Sequence, residues 1–281
     1  MNEINLSKIE SLAKKMRISA IETGYNAYCT GKNSAHFGGA LSAIEILACL
    51  YGGIMDIDPK NLDKPHDIFI MSKGHGVLAL YTALAHKNFF PLEKLETFET
   101  NESDLSGHVT MNPEIGMELS SGSLGMGLSQ AVGICLGWRK KNISQKVFVL
   151  LGDGELDEGS NWEAAMSAAH FKLDNLLVIV DKNKIQLDGT TDEVMNLGDV
   201  AKKFSAFGFE VREVDGHNIS EICKNISELL ANKNSQPKAL IADTVKGKGV
   251  PFMENKVEWH HGALNQKLYE QAMQELGAEV K

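Results

Sequence analysis

The chain has 281 residues, 43% of them hydrophobic, and a formal charge of −9 from 28 basic and 37 acidic side chains. That apolar content supports a sizeable core, and an acidic balance with no basic stripe argues against a nucleic-acid partner. Cys29, Cys49, Cys135 and Cys223 are scattered without zinc-like spacing and read as reduced thiols in the cytoplasm; the polar amino terminus and the apolar stretch 38–55, broken by Glu45 and several glycines, argue against a signal peptide or a membrane span.

Helical spacing of Ile9, Leu12, Ala13, Met16, Ile18 and Ala20 predicts an amphipathic helix from 6 to about 28, broken by Gly31, Lys32, Asn33 and Ser34. A second helix is expected over 40–51. Residues 67–71 (DIFIM) read as a strand, followed by the turn Ser72-Lys73-Gly74-His75-Gly76 and a helix over 77–87. From 89 to 117 Pro91, Pro113 and Gly116 leave an irregular stretch, expected to fold over the carboxyl edge of a sheet. A glycine-rich turn from Ser120 to Gly127 leads into a helix over 128–140. Further strands are expected at 146–151 (KVFVLL), 176–181 (LLVIVD), 210–214 and 239–244, with helices near 199–207 and 219–232. From about 246 an extended tail runs to Trp259-His260-His261-Gly262, and a helix-like segment follows over 264–277. Alternating strands and helices, with no repeat and no linker, imply one domain over 1–281. Its class is α/β, a mostly parallel sheet with helices on both faces.

Gly152-Asp153-Gly154 follows the strand at 146–151, and Asn183 follows the strand at 176–181. The helix between them carries Ala164, Ala165, Ala168 and Ala169 and is expected to be capped by Ser160 or Asn161. In a right-handed βαβ unit both strand ends lie on one edge of the sheet. A carboxylate, an amide oxygen and the Ile185 backbone carbonyl there suit a hard cation such as magnesium (Mg2+), which takes its other oxygens from phosphate and water. The glycines let a diphosphate approach the backbone, and a helix N-terminus favours the anion. Asp153 is expected to face solvent at this edge.

GDG, Glu158-Gly159, Glu163 and the run DKNKIQLDG together resemble the cofactor signature of the thiamine diphosphate enzymes. The resemblance is closest to the transketolase family and its split form, where one chain carries only the amino-terminal half. It covers about 16–261 and implies the thiamine diphosphate-binding fold of the diphosphate-binding domain, with thiamine diphosphate and Mg2+ as cofactors. Asp153, Asn183 and Ile185 are then the metal ligands, and Gly154 and Asn183 also meet the cofactor. Glu158 and Glu163 match acidic residues at the family's interface between two active sites. Glu158 is also a candidate cofactor contact, and a helix-start carboxylate is an equal reading of it.

The histidines follow the same resemblance. In transketolases an HPG-like turn places a histidine beside the substrate; here the turn is His36-Phe37-Gly38, with phenylalanine for proline. The SxGH turn, whose histidine contacts the diphosphate, is Ser72-Lys73-Gly74-His75. A GHPE turn gives a further histidine; here His108 is followed by Val109-Thr110, and the stretch to the glycine loop is one residue longer. The GxLGxG loop, which binds the cofactor through its backbone, is Gly122-Ser123-Leu124-Gly125-Met126-Gly127. Trp259-His260 matches the WH of the split enzymes and His261-Gly262 the HG of the full-length ones, so both histidines are retained. Imidazole exchanges protons near neutral pH, which makes His36, His108, His260 and His261 the catalytic candidates.

The implied function is the amino-terminal half of a transketolase, moving a two-carbon ketol group from a ketose or ketose phosphate to an aldose. The partner implied is a carboxy-terminal subunit that binds the cofactor's pyrimidine ring, two copies of each chain forming a heterotetramer. The alternatives are half of a 2-oxo acid dehydrogenase (its α chain), a deoxyxylulose phosphate synthase-like protein, and a non-catalytic paralogue. The SKGH, HFGG and SGSLGMG segments favour transketolase. The sugars stay open between pentose phosphates and modified or sulfonated ones.

Overall fold

The structure, a computed structural model, describes residues 4–32 and 35–280. Helix α1 (Leu6–Ala27) starts at Asn5, whose side chain accepts the Lys8 N–H, and its apolar stripe of Ile9, Ala13, Met16 and Ala20 is buried. Beyond it a π-helical turn reaches Gly31, which bends left-handed at φ 87°. Asn33 and Ser34, the rest of the expected break, lie outside the described residues. The helix expected over 40–51 is instead two pieces, α2 (Gly38–Leu41) and α3 (Ile44–Cys49). Ser42 sits at the break, where its hydroxyl donates to Asp181 Oδ2 at 2.5 Å and bends the chain toward the sheet.

Strands β1 (Ile68–Met71), β2 (Val147–Gly152), β3 (Leu176–Lys182), β4 (Glu210–Asp215) and β5 (Lys238–Asp243) form one sheet in the order β1-β2-β3-β5-β4. Every pairing in it is parallel, from Ile68 opposite Val147 to Asp215 opposite Asp243. Alternate residues along the central strands feed two separate cores. Phe148, Leu150, Leu177, Ile179 and Leu240 face one core, with α1, α3, α4 (Val77–His86), α9 (Ile219–Ala231) and α10 (Gln266–Glu275). Val147, Val149, Leu151, Val178, Val180 and Ile241 face the other, with α5 (Gly127–Lys140), α6 (Gly159–His170) and α8 (Val200–Ala206). A sheet covered on both faces needs apolar residues at every position, which is why these strands read as continuous runs. Between β3 and α8 lies a single turn, α7 (Thr191–Val194), closed by a Thr190/Glu193 capping box. No helix among the described residues is long and apolar enough to cross a membrane, and all four cysteines are unpaired.

Two further expectations change. Neither Ser160 nor Asn161 caps α6: the Ser160 hydroxyl donates to the Gly125 carbonyl at 2.8 Å, and Asn161 donates to the Glu155 carbonyl at 2.7 Å. Both side chains are drawn away to tie the helix start to neighbouring loops, and Glu158 takes the N-cap position with extended backbone. The segment after β5 is not extended. Left-handed Gly247 and Gly249 fold it into turns, a 3-10 turn spans Val257–Trp259, and Gly262 pairs with Ala35.

That last pairing brings the tail against the turn that carries His36. Phe37, fully buried, meets Trp259 edge-on at 5.9 Å between ring centroids and lies over Gly24 of α1. A Cβ on Gly24 would fall 2.2 Å from Phe37 Cζ. An exposed helical Gly→Ala change gains up to about 1 kcal/mol. Here the clash reverses the sign, because Phe37 is enclosed and cannot move aside. Gly24→Ala should therefore lower stability by about 1–3 kcal/mol, the usual cost of overpacking. A urea midpoint above that of the unaltered chain would contradict this packing.

Candidate active site

Because the sheet is parallel, the loops after all five strands of the described residues open on one edge. The β1 loop carries Ser72 to His75, the β2 loop Asp153, the β3 loop Asn183 and Ile185, and the β5 loop Thr244 to Lys246. The irregular 89–117 stretch, anchored by buried Phe90, Leu95, Phe98 and Leu105, leads to His108.

Five imidazoles meet here. The His36 ring lies 5.6 Å from His75, 5.3 Å from His108, 5.7 Å from His260 and 4.3 Å from His261, between centroids. His75 and His260 are 5.1 Å apart. Burial, then the neighbouring imidazoles and Lys246, push His36 down to about 3. Burial, then the Lys246 and Lys73 charges, push His260 down to about 4, and burial holds His75 well below its ordinary value. These three rings are neutral at pH 7 and can each donate one proton and accept another.

Asp153 is 5% exposed rather than solvent-facing, because the Gly154 and Lys184 N–H groups close over its carboxylate. It forms no ion pair among the described residues. Burial, followed by the nearby Asp181 charge, pushes it up to about 6. The Lys73 charge only partly offsets this and no cation of the described residues contacts the carboxylate, a place that a divalent cation would fill. Asn183 Nδ2 donates to Asp181 Oδ2 at 3.1 Å, which fixes the amide so that its oxygen faces the Ile185 N–H at 3.2 Å. The Ile185 carbonyl accepts the Lys246 ammonium at 2.7 Å, so a cation already stands on the third expected ligand. The same ammonium donates to His260 Nδ1 at 2.8 Å. Burial and the Lys73 charge lower Lys246 to about 8, against the pull of Asp153 and Asp181, so it is mostly charged at pH 7.

The glycine loop lies beside this set. Gly125 N–H donates to Glu155 Oε1 at 3.0 Å, and Gly122 lies against the His108 ring. Ser123 and Leu124 are exposed, as are Glu158 and Glu163, and Glu158 packs against Gly125. Sequence reasoning passed over four groups of this region: Glu155, Lys73, Lys246 and Asp181. Glu155 is buried and gathers the Ser72 hydroxyl and the Gly125 and Gly152 N–H groups, joining three loops. Lys73 and Lys246 are each 1% exposed. Their one available signal was position, since each lies inside a glycine-rich turn directly after a strand.

Known proteins bear on this arrangement. Residues 11–281 match the family model for the thiamine diphosphate binding domain of transketolase. The chain belongs to the transketolase family. It is 41% identical over 279 residues to an apulose-4-phosphate transketolase subunit from Actinobacillus succinogenes, covering 98% of this chain and 99% of that one. It is also 41% identical over 245 residues to a 6-deoxy-6-sulfo-D-fructose transketolase subunit from a Clostridium species, covering 87% and 89%. The solved transketolase of Campylobacter jejuni superposes with a TM-score of 0.84 at 29% identity, over 99% of this chain but only 44% of its own. The chain thus corresponds to the amino-terminal part of long transketolases and to nearly the full length of the subunit relatives.

The depressed histidines set a pH dependence. Below pH 6.5 the unfolded chain takes up protons that folded His36, His75 and His260 refuse. The stability this represents is complete above pH 6.5 and is lost as pH falls toward about 4 and 3. Asp153, raised to about 6, acts in the opposite sense between there and 3.8. His36→Asn should therefore reduce the loss of stability between pH 7 and pH 5 in the cofactor-free chain. Urea titrations at both pH values test this, and an unchanged difference would contradict a neutral His36.

Proposed function

We propose that this chain is the diphosphate-binding half of a split transketolase that moves a two-carbon ketol unit from a ketose to an aldose. The observation that carries the reading is the convergence of His36, His75, His108, His260 and His261 beside buried Asp153, Asn183 and Ile185. Magnesium would be held by the Asp153 carboxylate, the Asn183 amide oxygen and the Ile185 carbonyl. Lys246 would release that carbonyl and turn to the diphosphate. Backbone groups of Gly122, Ser123, Leu124 and Gly154, with His75 and a cofactor-edge Glu158, would complete the cradle. When bound, thiamine diphosphate supplies the electron sink that lets a carbon–carbon bond beside a ketone break and re-form.

The residues of this chain then have separable tasks. Charged Lys246 donates to His260 Nδ1, so the His260 proton resides on Nε2 and is available to a substrate oxygen. That favours His260 over His261 as the tail histidine in catalysis. His36, neutral at pH 7, and His108 beside it accept and return the hydroxyl protons that ketol transfer moves. The cluster's two lysines are engaged with Asp181, Ile185 and His260. We place recognition of an anionic sugar end, such as the phosphate or sulfo groups in the relatives' names, on the carboxy-terminal partner. That partner also supplies the pyrimidine site, and a closed assembly with two copies of each chain is the simplest arrangement.

Asp153→Ala should abolish magnesium-dependent thiamine diphosphate binding by the assembled pair while far-ultraviolet circular dichroism stays unchanged. Unaltered affinity by calorimetry would rule out the metal assignment. His260→Ala should cut kcat by about 100-fold, within the usual range for a proton-transferring side chain, and His261→Ala by less. The reverse order would move the catalytic role to His261. Ketol transfer by the purified chain with no partner present would overturn the two-chain reading.

A further inference from the structure

Outside the histidine cluster a second polar group lies buried between α1, α3 and the loop after β4. Glu45, the charge that interrupts the apolar stretch 38–55, is 8% exposed. Its Oε1 accepts Arg17 Nη2 at 2.6 Å, and its Oε2 lies 3.0 Å from His217 Nδ1. Burial works to raise its pKa, but the His217 hydrogen bond and the Arg17 charge outweigh that and hold it below the usual carboxylate value. Each partner also reaches a backbone group of the loop after β5. His217 Nε2 lies 2.8 Å from the Val245 N–H, and Arg17 Nε donates to the Lys248 carbonyl at 2.9 Å.

The tautomer of His217 follows from chemistry. A backbone N–H can only donate, so Nε2 must be the bare nitrogen and Nδ1 carries the hydrogen that Glu45 accepts. One carboxylate therefore orients two arms, and the arms grip the chain on either side of Lys246. Between the two grips the backbone turns left-handed at Gly247, φ 77°, and just past the second it does so again at Gly249, φ 91°. A Cβ on Gly249 would fall 2.5 Å from Arg17 Cδ, so the arginine stem lies directly on the loop.

We infer that Glu45, His217 and Arg17 are positioning residues that clamp the loop Val245–Lys248 and thereby hold Lys246 at the site edge, beside His260 and within reach of the diphosphate. None of the three is hydrogen-bonded to the histidine cluster or to Asp153, Asn183 or Ile185. The effect on cofactor binding rests on the reading of Lys246 as part of the diphosphate and magnesium site; the clamp on the loop does not. A loop with one left-handed glycine inside it and another directly after it has many backbone states in isolation. Tying one N–H and one carbonyl selects one of them before any ligand arrives.

Two substitutions at one position separate this role from packing. Glutamine reaches the Nε2 position and can accept from Val245, whereas asparagine reaches only the Nδ1 position, toward Glu45. In the cofactor-free chain, His217→Asn should speed amide exchange across 244–249 about tenfold, as expected for a buried donor left without its partner. His217→Gln should leave it near the unaltered rate, and both should keep β5 and α9 protected. With the partner chain and magnesium present, the Kd for thiamine diphosphate should rise about tenfold for His217→Asn and less than about threefold for His217→Gln. Should His217→Asn fail to fold, Arg17→Met keeps the stem over Gly249 and releases the Lys248 carbonyl, and it should loosen the same loop. Equal behaviour of the asparagine and glutamine variants, or a loop no looser than normal, would overturn the clamp. If the unaltered pair itself binds no cofactor, the functional reading fails and the exchange comparison still decides the clamp.

Discussion

The buried charge pair of Lys73 and Asp181 is the constraint on which the rest of the site depends. Both side chains are almost fully enclosed, 1% and 0% exposed. Two charges removed from water cost several kcal/mol each unless attraction and hydrogen bonds offset that. Asp181 takes its donors from four elements: Lys73 after β1, Ser42 between α2 and α3, Asn183 after β3 and Thr244 after β5. Burial works to raise its pKa, yet the Lys73 charge and these donors hold it below the ordinary carboxylate value. Lys73 also donates to the Gly39 carbonyl at 2.6 Å, which ties in the turn after His36. Losing one member would leave the other charge unpaired at the point where the site's loops converge.

Around that pair the molecule keeps two populations of charge apart. On one side stand neutral His36, His75 and His260, their pKa values lowered by burial, neighbouring imidazoles and the lysines; on the other stands Asp153, raised by burial and by Asp181. Opposite shifts within one pocket are a mark of functional sites, because uncompensated desolvation is tolerated where a ligand later supplies the missing charge. Lys246 bridges the two populations, with its ammonium on a carbonyl from the acidic side and on an imidazole of the other. Its own attachment runs through the Arg17–Glu45–His217 group on the far side of the loop, so the site's geometry is braced from beneath by Asp181 and from outside by Glu45.

Much of this was legible in the chain. Strand positions and most helix positions followed from apolar runs and turn residues, since a doubly covered parallel sheet leaves an unmistakable pattern. The glycine loop and the loop histidines were legible through their resemblance to a known family. The misread helix break and helix cap share one cause: Ser42, Ser160 and Asn161 are small polar residues that local rules assign to helices or caps. Here Ser42 and Ser160 bond to distant segments and Asn161 bonds back to the turn before its helix, and such competition for a side-chain donor is invisible to spacing.

The sequence by itself determined the class of fold, the parallel sheet, and which loops share its carboxyl edge, because strand direction and alternation are local properties of the chain. Only the tertiary structure decided that Asp153 is enclosed, that five histidines lie within ring contact, and that Lys73, Lys246, Glu155, Glu45 and His217 are the groups that hold them. Those outcomes depend on burial, charge pairing and hydrogen bonds between segments as far apart as Arg17 and Lys248. Desolvation has no one-dimensional signature: a lysine in a turn looks the same whether it ends in water or on a buried carboxylate.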